Sequence, residues 1–407
     1  MGDVGVTVIG VDGAALPDGS AEALEEARLV VGARRHLDAH APDHARKLEL
    51  GPFQPALNAL TALSADEHGV VFASGDPGFF GVVRTLRERG IRCRVLPAIS
   101  SVQRLLAKAG RSWDDVAVVS PQGRDITQAL NVCRARPAVA VLTVRGAGPA
   151  QLGSGLDGWR RTLVVAEDLG GPNESLTTVD PADAAARSWR EPNIVLCLAD
   201  PDAVPQRSWH AGGDPLPPEP GWALPEDEFS HRDGMVTTSE VRAVALAKLA
   251  PRPGTLVWDV GAGSGSVAVE CARMGAATIA VEPDETQVVR LITNAAGHGV
   301  DVRVVEAAAP QALRELPKPD AIFIGGGGSD VLAACAHAGA TRVVAALTAL
   351  DRVATTRDAL RYAGYQVEGV QLAASRLVDL PDGAPSLQPT QPVVLISGHR
   401  KTPGEQS

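Results

Sequence analysis

The stretch Leu256-Val257-Trp258-Asp259-Val260-Gly261-Ala262-Gly263-Ser264-Gly265-Ser266 constrains what this chain can fold into more than any other. Apolar residues suited to a buried strand run into glycines at alternate positions, and a helical pattern follows over Ser266–Met274. The next strand signal, Thr278–Glu282, closes on an acid. Strand, glycine turn, helix and a second strand ending in a carboxylate form one nucleotide-binding half of an α/β fold. The glycines let a ligand approach the backbone, and the carboxylate can accept hydrogen bonds from both hydroxyls of a ribose. A dinucleotide loop has glycines at its first, third and sixth positions. Counted from Gly261 the sixth position is Ser266, and the extra glycine is Gly265. This spacing argues against an NAD-type dehydrogenase.

Downstream, strands are expected at Val302–Val305, Ala321–Ile324, Val343–Leu347 and Val393–Ser397, with a helix over Ser239–Leu249. Strands alternating with helices predict a mostly parallel, Rossmann-like sheet covered on both faces. Upstream, strands are expected at Val6–Ile9, Leu29–Val31, Val70–Ala73, Arg94–Leu96, Val116–Val119, Val139–Thr143, Leu163–Ala166 and Ile194–Leu198, and a helix at Ser20–Ala27. They predict two α/β lobes with a cleft between them. Between the halves, Pro201, Pro205, Pro215, Pro217, Pro218, Pro220 and Pro225 interrupt any helix and favour an extended connection. The expected organisation is one domain over 1–203, a proline-rich linker over 204–228 and a second domain over 229–407.

Composition narrows the function. Acidic residues number 48 against 38 basic ones, a formal charge of −10, and aromatics are 3%. Broad nucleic-acid binding needs a basic face and stacking platforms, so this balance disfavours it. The five cysteines are odd in number and form no Cys-x-x-Cys pair, which suits reduced thiols. Without a signal-like N-terminus or an apolar run of ~20 residues, the expectation is a soluble, cytoplasmic protein. His36, His40 and His44 recur at a four-residue spacing that could serve a metal. Pro42 breaks a helix between the last two, so no metal site is expected.

Four upstream segments carry a resemblance: Gly10–Gly13, Gly32-Ala33-Arg34-Arg35-His36-Leu37, Ser74-Gly75-Asp76-Pro77 and Pro97-Ala98-Ile99-Ser100-Ser101-Val102-Gln103. Ser120–Arg124 and Glu167–Glu174 extend it. With them the first half resembles the tetrapyrrole methylase family, a class III methyltransferase fold that uses S-adenosyl-L-methionine (SAM). The second half is similar to the class I methyltransferase family of the cobalamin pathway that also removes a carboxyl group. Its carriers are Thr237-Thr238-Ser239-Glu240-Val241-Arg242, the glycine loop and Pro319–Gly327. Two departures stand out. Asp12 replaces the second glycine of the usual Gly-x-Gly-Pro-Gly opening, and Ala308 stands where many class I enzymes place an acid for the adenine amino group.

The resemblance implies SAM in each domain, held by Gly10, Asp12, Gly13, Ser74, Gly75, Asp76, Pro77, Ser100 and Ser101 in the first. In the second the implied contacts are Asp259, Gly261, Gly263, Gly265, Glu282 and the Ala308 segment. It implies a precorrin-6 substrate, methylated at C5 by the first domain and at C15 by the second, with loss of the C12 acetate carboxyl to give precorrin-8. It also implies a homo-oligomer, dimer or tetramer. Such a substrate carries several carboxylates, so bidentate arginines are expected at the rim: Arg34, Arg35 and Arg124 in the first domain, Arg232, Arg242 and Arg376 in the second. Gly325 and Gly326 would let a flat ring lie against the backbone. His231, Thr237 and Arg242 are the candidates for positioning and proton transfer. The alternatives are a SAM methyltransferase for RNA or protein and a SAM-binding sensor without catalysis, because neither fold dictates one substrate.

Overall fold

The computed structural model describes residues 5–51, 53–205, 211–212, 216–232 and 236–400. The chain forms two compact units, and the division is not a single cut. The first unit takes the chain up to Gln122, Ala140–Ser154 and the stretch from Thr162 to the proline-rich region. The second takes Gly123–Val139, Gly155–Arg161 and the remainder. No helix among the described residues is long and apolar enough to cross a membrane.

In the first unit, β1 (Val6–Val11), β2 (Ala27–Gly32), β3 (Arg46–Glu49), β4 (His68–Ser74) and β5 (Arg94–Leu96) form a parallel sheet in the order β3-β2-β4-β1-β5. Every residue of β1 is buried, because helices cover both faces of such a sheet. Ile9, Val30, Val70 and Phe72 pack on one face, while Val8, Val31, Val71 and Leu57 pack on the other. The helix expected over Ser20–Ala27 stops at Glu25, and Ala27 already opens β2. A second sheet contains β6 (Ala117–Val119), β7 (Ala138–Val141), β8 (Thr162–Glu167), β9 (Ser175–Val179) and β10 (Asn193–Leu198). Its order is β6-β7-β10-β8-β9, with β8 antiparallel to both β10 and β9.

The second unit holds β11 (Leu256–Val260), β12 (Ala277–Val281), β13 (Arg303–Val305), β14 (Ala321–Ile324), β15 (Arg342–Leu347), β16 (Gln366–Leu372), β17 (Ser375–Asp379), β18 (Pro385–Pro389) and β19 (Val393–His399). Seven of these form one sheet in the order β13-β12-β11-β14-β15-β19-β16. It is parallel from β13 to β15, and β19 runs antiparallel between β15 and β16. β17 and β18 form a separate hairpin. The order reverses between β11 and β14, and the crevice outside the carboxyl ends at such a switch is where open α/β sheets bind ligands.

Of the proline-rich stretch, residues 206–210 and 213–215 lie outside the described residues. Its later part is not a free connection. Leu224 and Phe229 are buried against Ala268, Val269 and Leu291. Arg273 donates to the Gly221, Pro218 and Glu219 carbonyls at 2.7, 3.2 and 3.1 Å. Glu270, buried on the same helix, accepts from the Ala223 and Leu224 amides at 2.5 and 3.0 Å. Arg242 completes the lock. It is fully buried, pairs with Glu270 at 2.5 Å and donates to the Leu224 and Thr237 carbonyls.

Removing one partner of a buried ion pair typically costs about 3–5 kcal/mol. Glu270→Ala should therefore lower the urea midpoint of the second unit by an amount equivalent to about 3 kcal/mol or more. An unchanged midpoint would show that the pair does not hold residues 218–229 in place.

Candidate active sites

The first site grows from the carboxyl ends of β1, β4 and β5. Gly10 lies beside the Ala98 amide and the Gly75 carbonyl, and a Cβ there would sit 2.6 Å from each. This contact brings the three loops together, yet Gly10 does not itself line the cavity they form. That cavity measures about 760 Å³ and is walled by Asp12, Gly13, Arg35, His36, Ser74, Gly75, Ser101, Arg104, Asp168 and residues of the second sheet such as Ala166 and Ile194. Its size falls in the range of small-molecule sites. A second cavity of about 540 Å³ shares His36, Ser74, Ser101, Leu142 and Thr143 with it.

Asp12 explains its own departure from the family loop. One carboxylate oxygen accepts from the Ala14 amide at 2.9 Å; the other accepts from the Ile99 amide and faces Arg104, both at 3.3 Å. The acid ties β1's loop to β5's loop and to the helix Ser101–Lys108. Gly13 has φ +89 and Gly75 φ +69, and a Cβ on Gly13 would run into the Gly170 carbonyl, so both need glycine. Asp76 accepts from the Gly78 amide at 2.8 Å and lines the smaller cavity. Ser100 also lines it, but as a helix cap whose hydroxyl accepts from Gln103. Pro77 is buried and lines neither cavity.

Of the expected rim arginines only Arg35 lines a cavity here. Arg34 pairs with Glu49 at 2.5 Å on the surface, and Arg124 is exposed on the turn before the helix Ile126–Ala135. Neither walls either cavity. Arg104, Asp168 and His36 are the residues that sequence reasoning missed. Arg104 stands one turn after the Ser100 cap, a place where a helix side chain returns to the loop that precedes it.

The second site lies where β11 and β14 end. Gly261, Gly263 and Gly265 have φ +71, +56 and +78, all in the left-handed region. They differ in what surrounds them. A Cβ on Gly261 would meet the Gly326 amide at 2.8 Å, and one on Gly265 would meet Leu291, whereas one on Gly263 would meet nothing within 4 Å. Gly263 is therefore the glycine whose missing side chain faces the open mouth. Gly325 is constrained in the same manner as Gly261, since its Cβ would run into the Gly261 carbonyl at 2.8 Å. The glycine at 325 serves this loop-to-loop contact, which accounts for it without a flat substrate, whereas a Cβ on Gly326 would come no nearer than 3.9 Å to the Gly261 Cα.

Glu282 points across the mouth, with one oxygen on the Gly263 amide at 2.8 Å and the other on the Asp284 amide at 3.0 Å. Asp259 is buried; one oxygen accepts from the Ala268 amide at 2.9 Å, and the other has no partner among the described residues. Burial pushes its carboxyl up to about 7, the Ala268 hydrogen bond opposes this, and the nearby Glu282 charge adds to it. Ala308 is exposed, with its carbonyl bonded to the Ala312 amide. An orphaned buried carboxylate oxygen, an open glycine and an acid at the second strand end fit SAM, whose ammonium and ribose need those partners.

One catalytic and rim expectation is corrected. Arg242 cannot reach a substrate, because it is wholly enclosed by Glu270, Leu224, Thr237 and the Phe229 ring. Arg376 is already paired, at 2.6 Å with Glu226 and 3.0 Å with Glu240. Burial alone would raise Glu226, but hydrogen bonds from Arg376 and the Ser239 amide bring it down to about 2. His231 and Arg232 follow Ser230, which Asn294 binds at 2.7 and 3.0 Å while also donating to the Ser264 carbonyl at 2.8 Å. Asn294 thus holds the 230–232 loop beside the glycine loop, a role no motif signalled. Thr237 is half-buried, and its carbonyl serves Arg242.

Residues 12–185 match the family model described as tetrapyrrole (corrin/porphyrin) methylases, and residues 227–398 match that of a precorrin methyltransferase domain. A precorrin-6Y C(5,15)-methyltransferase [decarboxylating] from Sinorhizobium sp is 39% identical over 342 residues, which is 80% of this chain and 79% of that protein. The chain belongs to the precorrin-6Y C5,15-methyltransferase (decarboxylating) family. Two shorter relatives each match less than half of it. A probable cobalt-precorrin-6B C(15)-methyltransferase (decarboxylating) from Pyrobaculum calidifontis is 38% identical over 38% of this chain and 84% of its own length. A cobalt-precorrin-7 C(5)-methyltransferase from Salmonella typhimurium is 32% identical over 42% of this chain and 88% of its own. Within this family the two glycine-lined sites described above fall one in each matched segment.

A carboxyl raised by burial favours the protonated fold. Its contribution is full below the unfolded value of about 4 and is lost as pH rises through about 7. The unligated second unit should therefore lose up to about 4 kcal/mol across that window through Asp259, an upper bound from a three-unit shift. Asp259→Asn should flatten this part of the stability–pH curve measured by urea denaturation. An identical slope in the variant would rule out Asp259 as its source.

Proposed function

We propose that this chain transfers methyl groups from SAM to C5 and C15 of a precorrin and releases the carboxyl of its C12 acetate as carbon dioxide. The observation that carries this reading is the tandem itself, a tetrapyrrole methylase segment followed by a precorrin methyltransferase segment, with one long relative similar across both. We assign C5 to the first unit and C15 with decarboxylation to the second. Support comes from the two shorter relatives, each named for one of these reactions and each matched over most of its length by under half of this chain. We also assign one SAM site to each unit, a reading supported by the two loop sets.

SAM, when bound, supplies a methyl group already activated by its sulfonium. The work left to the protein is alignment and exclusion of water. In the first unit, Asp12 and Arg104 fix the cofactor loop, and Gly13 and Gly75 let it pack against the Gly170 backbone and the start of the helix Ser101–Lys108. Arg35 and Arg104 offer cations to the substrate's carboxylates. In the second, each Glu282 oxygen keeps a lone pair for a ribose hydroxyl. The orphaned oxygen of Asp259 is the buried anion that an ammonium would satisfy, and such a partner would pull its pKa down.

Calorimetry on the whole chain should count two SAM molecules bound. In Gly263→Arg, whose new side chain extends into the open mouth, the count should fall to one, and carbon dioxide release from precorrin-6 should stop. Loss of both SAM molecules, or continued release, would overturn the assignment of two independent sites.

A further inference from the structure

The first cavity contains a polar cluster formed by Ser74, Arg35 and His36. Ser74 closes β4 with its hydroxyl exposed to both cavities. His36, only 8% exposed, places Nε2 2.8 Å from Ser74 Oγ. Arg35 donates through Nη2 to the same Oγ at 3.0 Å, and its Nε faces His36 Nε2 at 3.5 Å. Arginine only donates, so Nε2 carries no proton and Ser74's single hydrogen points to it. The chain of donors runs from Arg35 to Ser74 to His36 and leaves one lone pair of Ser74 facing the cavity.

We propose that Ser74, backed by His36, takes up the proton displaced when a carbon of the tetrapyrrole is methylated in the first unit. This rests on the functional reading above. A methine carbon that gains a methyl group must lose its hydrogen. The new carbon–methyl bond forms as the sulfur–methyl bond breaks and the neutral thioether departs. The carbon–hydrogen bond then breaks, and its electron pair restores the conjugated double bond. The proton goes to Ser74 Oγ as Ser74's own proton passes to His36 Nε2. His36 later releases it to water, so atoms and charge balance with SAM as the other reactant.

The requirement on the base is modest, since a carbon–hydrogen bond next to an iminium is strongly acidic. His36 is suited to that task. Burial, then the charges of Arg35 and His40, hold its pKa down to about 4, so the ring is neutral and adds no cation beside a sulfonium. Of the other charged groups in the cavity, Asp12 is engaged by Arg104, and Asp168 accepts from the Asn173 amide. Phe72 packs against His40 at 5.9 Å and contributes no charge.

The test uses the whole chain with SAM and precorrin-6 carrying hydrogen or deuterium at C5, alongside ¹⁵N NMR of the unligated protein. In His36→Gln, which can still accept from Ser74 but cannot take a proton, kcat for C5 methylation should fall ~10²-fold. The KM for SAM should stay within twofold, and the C5 deuterium isotope effect should rise. Ser74→Ala should lower kcat and raise the C5 isotope effect likewise, and should shift the His36 Nε2 resonance, which in the parent reads as unprotonated at pH 6. Near-normal C5 turnover with an unchanged isotope effect in both variants overturns the relay alone. So does an Nε2 that carries the proton, or a loss confined to SAM affinity. Absence of C5 methylation by the unaltered chain overturns the functional reading, and the relay with it.

Discussion

Where β1 reaches its carboxyl end, Gly10 lies so near the Ala98 amide and the Gly75 carbonyl that a Cβ would sit 2.6 Å from each. Where β11 ends, Gly261 meets the Gly326 amide, and Gly325 meets the Gly261 carbonyl, at 2.8 Å by the same measure. In each unit two or three strand-end loops are brought to backbone contact, and every ligand-facing group depends on that approach. Any side chain would push the loops apart and widen the mouth. The glycines that matter most for shape are therefore not those that face the ligand. Gly10 and Gly261 close the framework, while Gly263, with nothing within 4 Å of its Cβ position, faces the opening.

Close backbone contact alone would leave polar groups unpaired, and each loop resolves this with its own acid. Asp12 gathers two amides and Arg104; Glu282 takes the Gly263 and Asp284 amides. Loops fixed before a ligand arrives need little ordering on binding, which leaves more of the interaction free energy for affinity and alignment. The aspartate that departs from the family's glycine pattern is consistent with this logic. A glycine at position 12 would leave the Ile99 amide and Arg104 without their common partner. Asp259 differs, since one of its oxygens is satisfied and one is not, and the imbalance appears in its raised pKa.

Much of this was legible in the sequence because the signals were local. Strands β1, β4, β11, β12 and β14 are apolar runs, and the glycine loops follow them directly. β9, β16 and the β17–β18 hairpin were not legible, as their residues alternate between half-buried and exposed or are mostly exposed, giving no apolar run. Site arginines were the hardest to read. Arg242 follows Glu240 in a motif-like segment, yet its partner Glu270 is 28 residues away and fully buried. Arg35 and Arg34 are neighbours on one helix, and only the fold decides that one turns to Ser74 and the other to Glu49. His36 reads as one of three spaced histidines. Its environment comes from Ser74, 38 positions further on.

The two reactions proposed above make different demands on protons, and the two units differ in a way that suits the proposed division. Replacing hydrogen by methyl on a ring carbon releases one proton. Loss of carbon dioxide from a carboxylate consumes one, because the carbanion left behind must be protonated. Methylation coupled to decarboxylation is thus neutral in protons overall, and a site that performs both need only pass a proton between two carbons of one substrate. Methylation without decarboxylation has a proton to export, which requires an acceptor connected to water. The first unit contains such a cluster, with a neutral imidazole behind an exposed hydroxyl. In the second unit the buried Asp259 is held on one side by the Ala268 amide and is better placed to meet a cation than to carry a proton out.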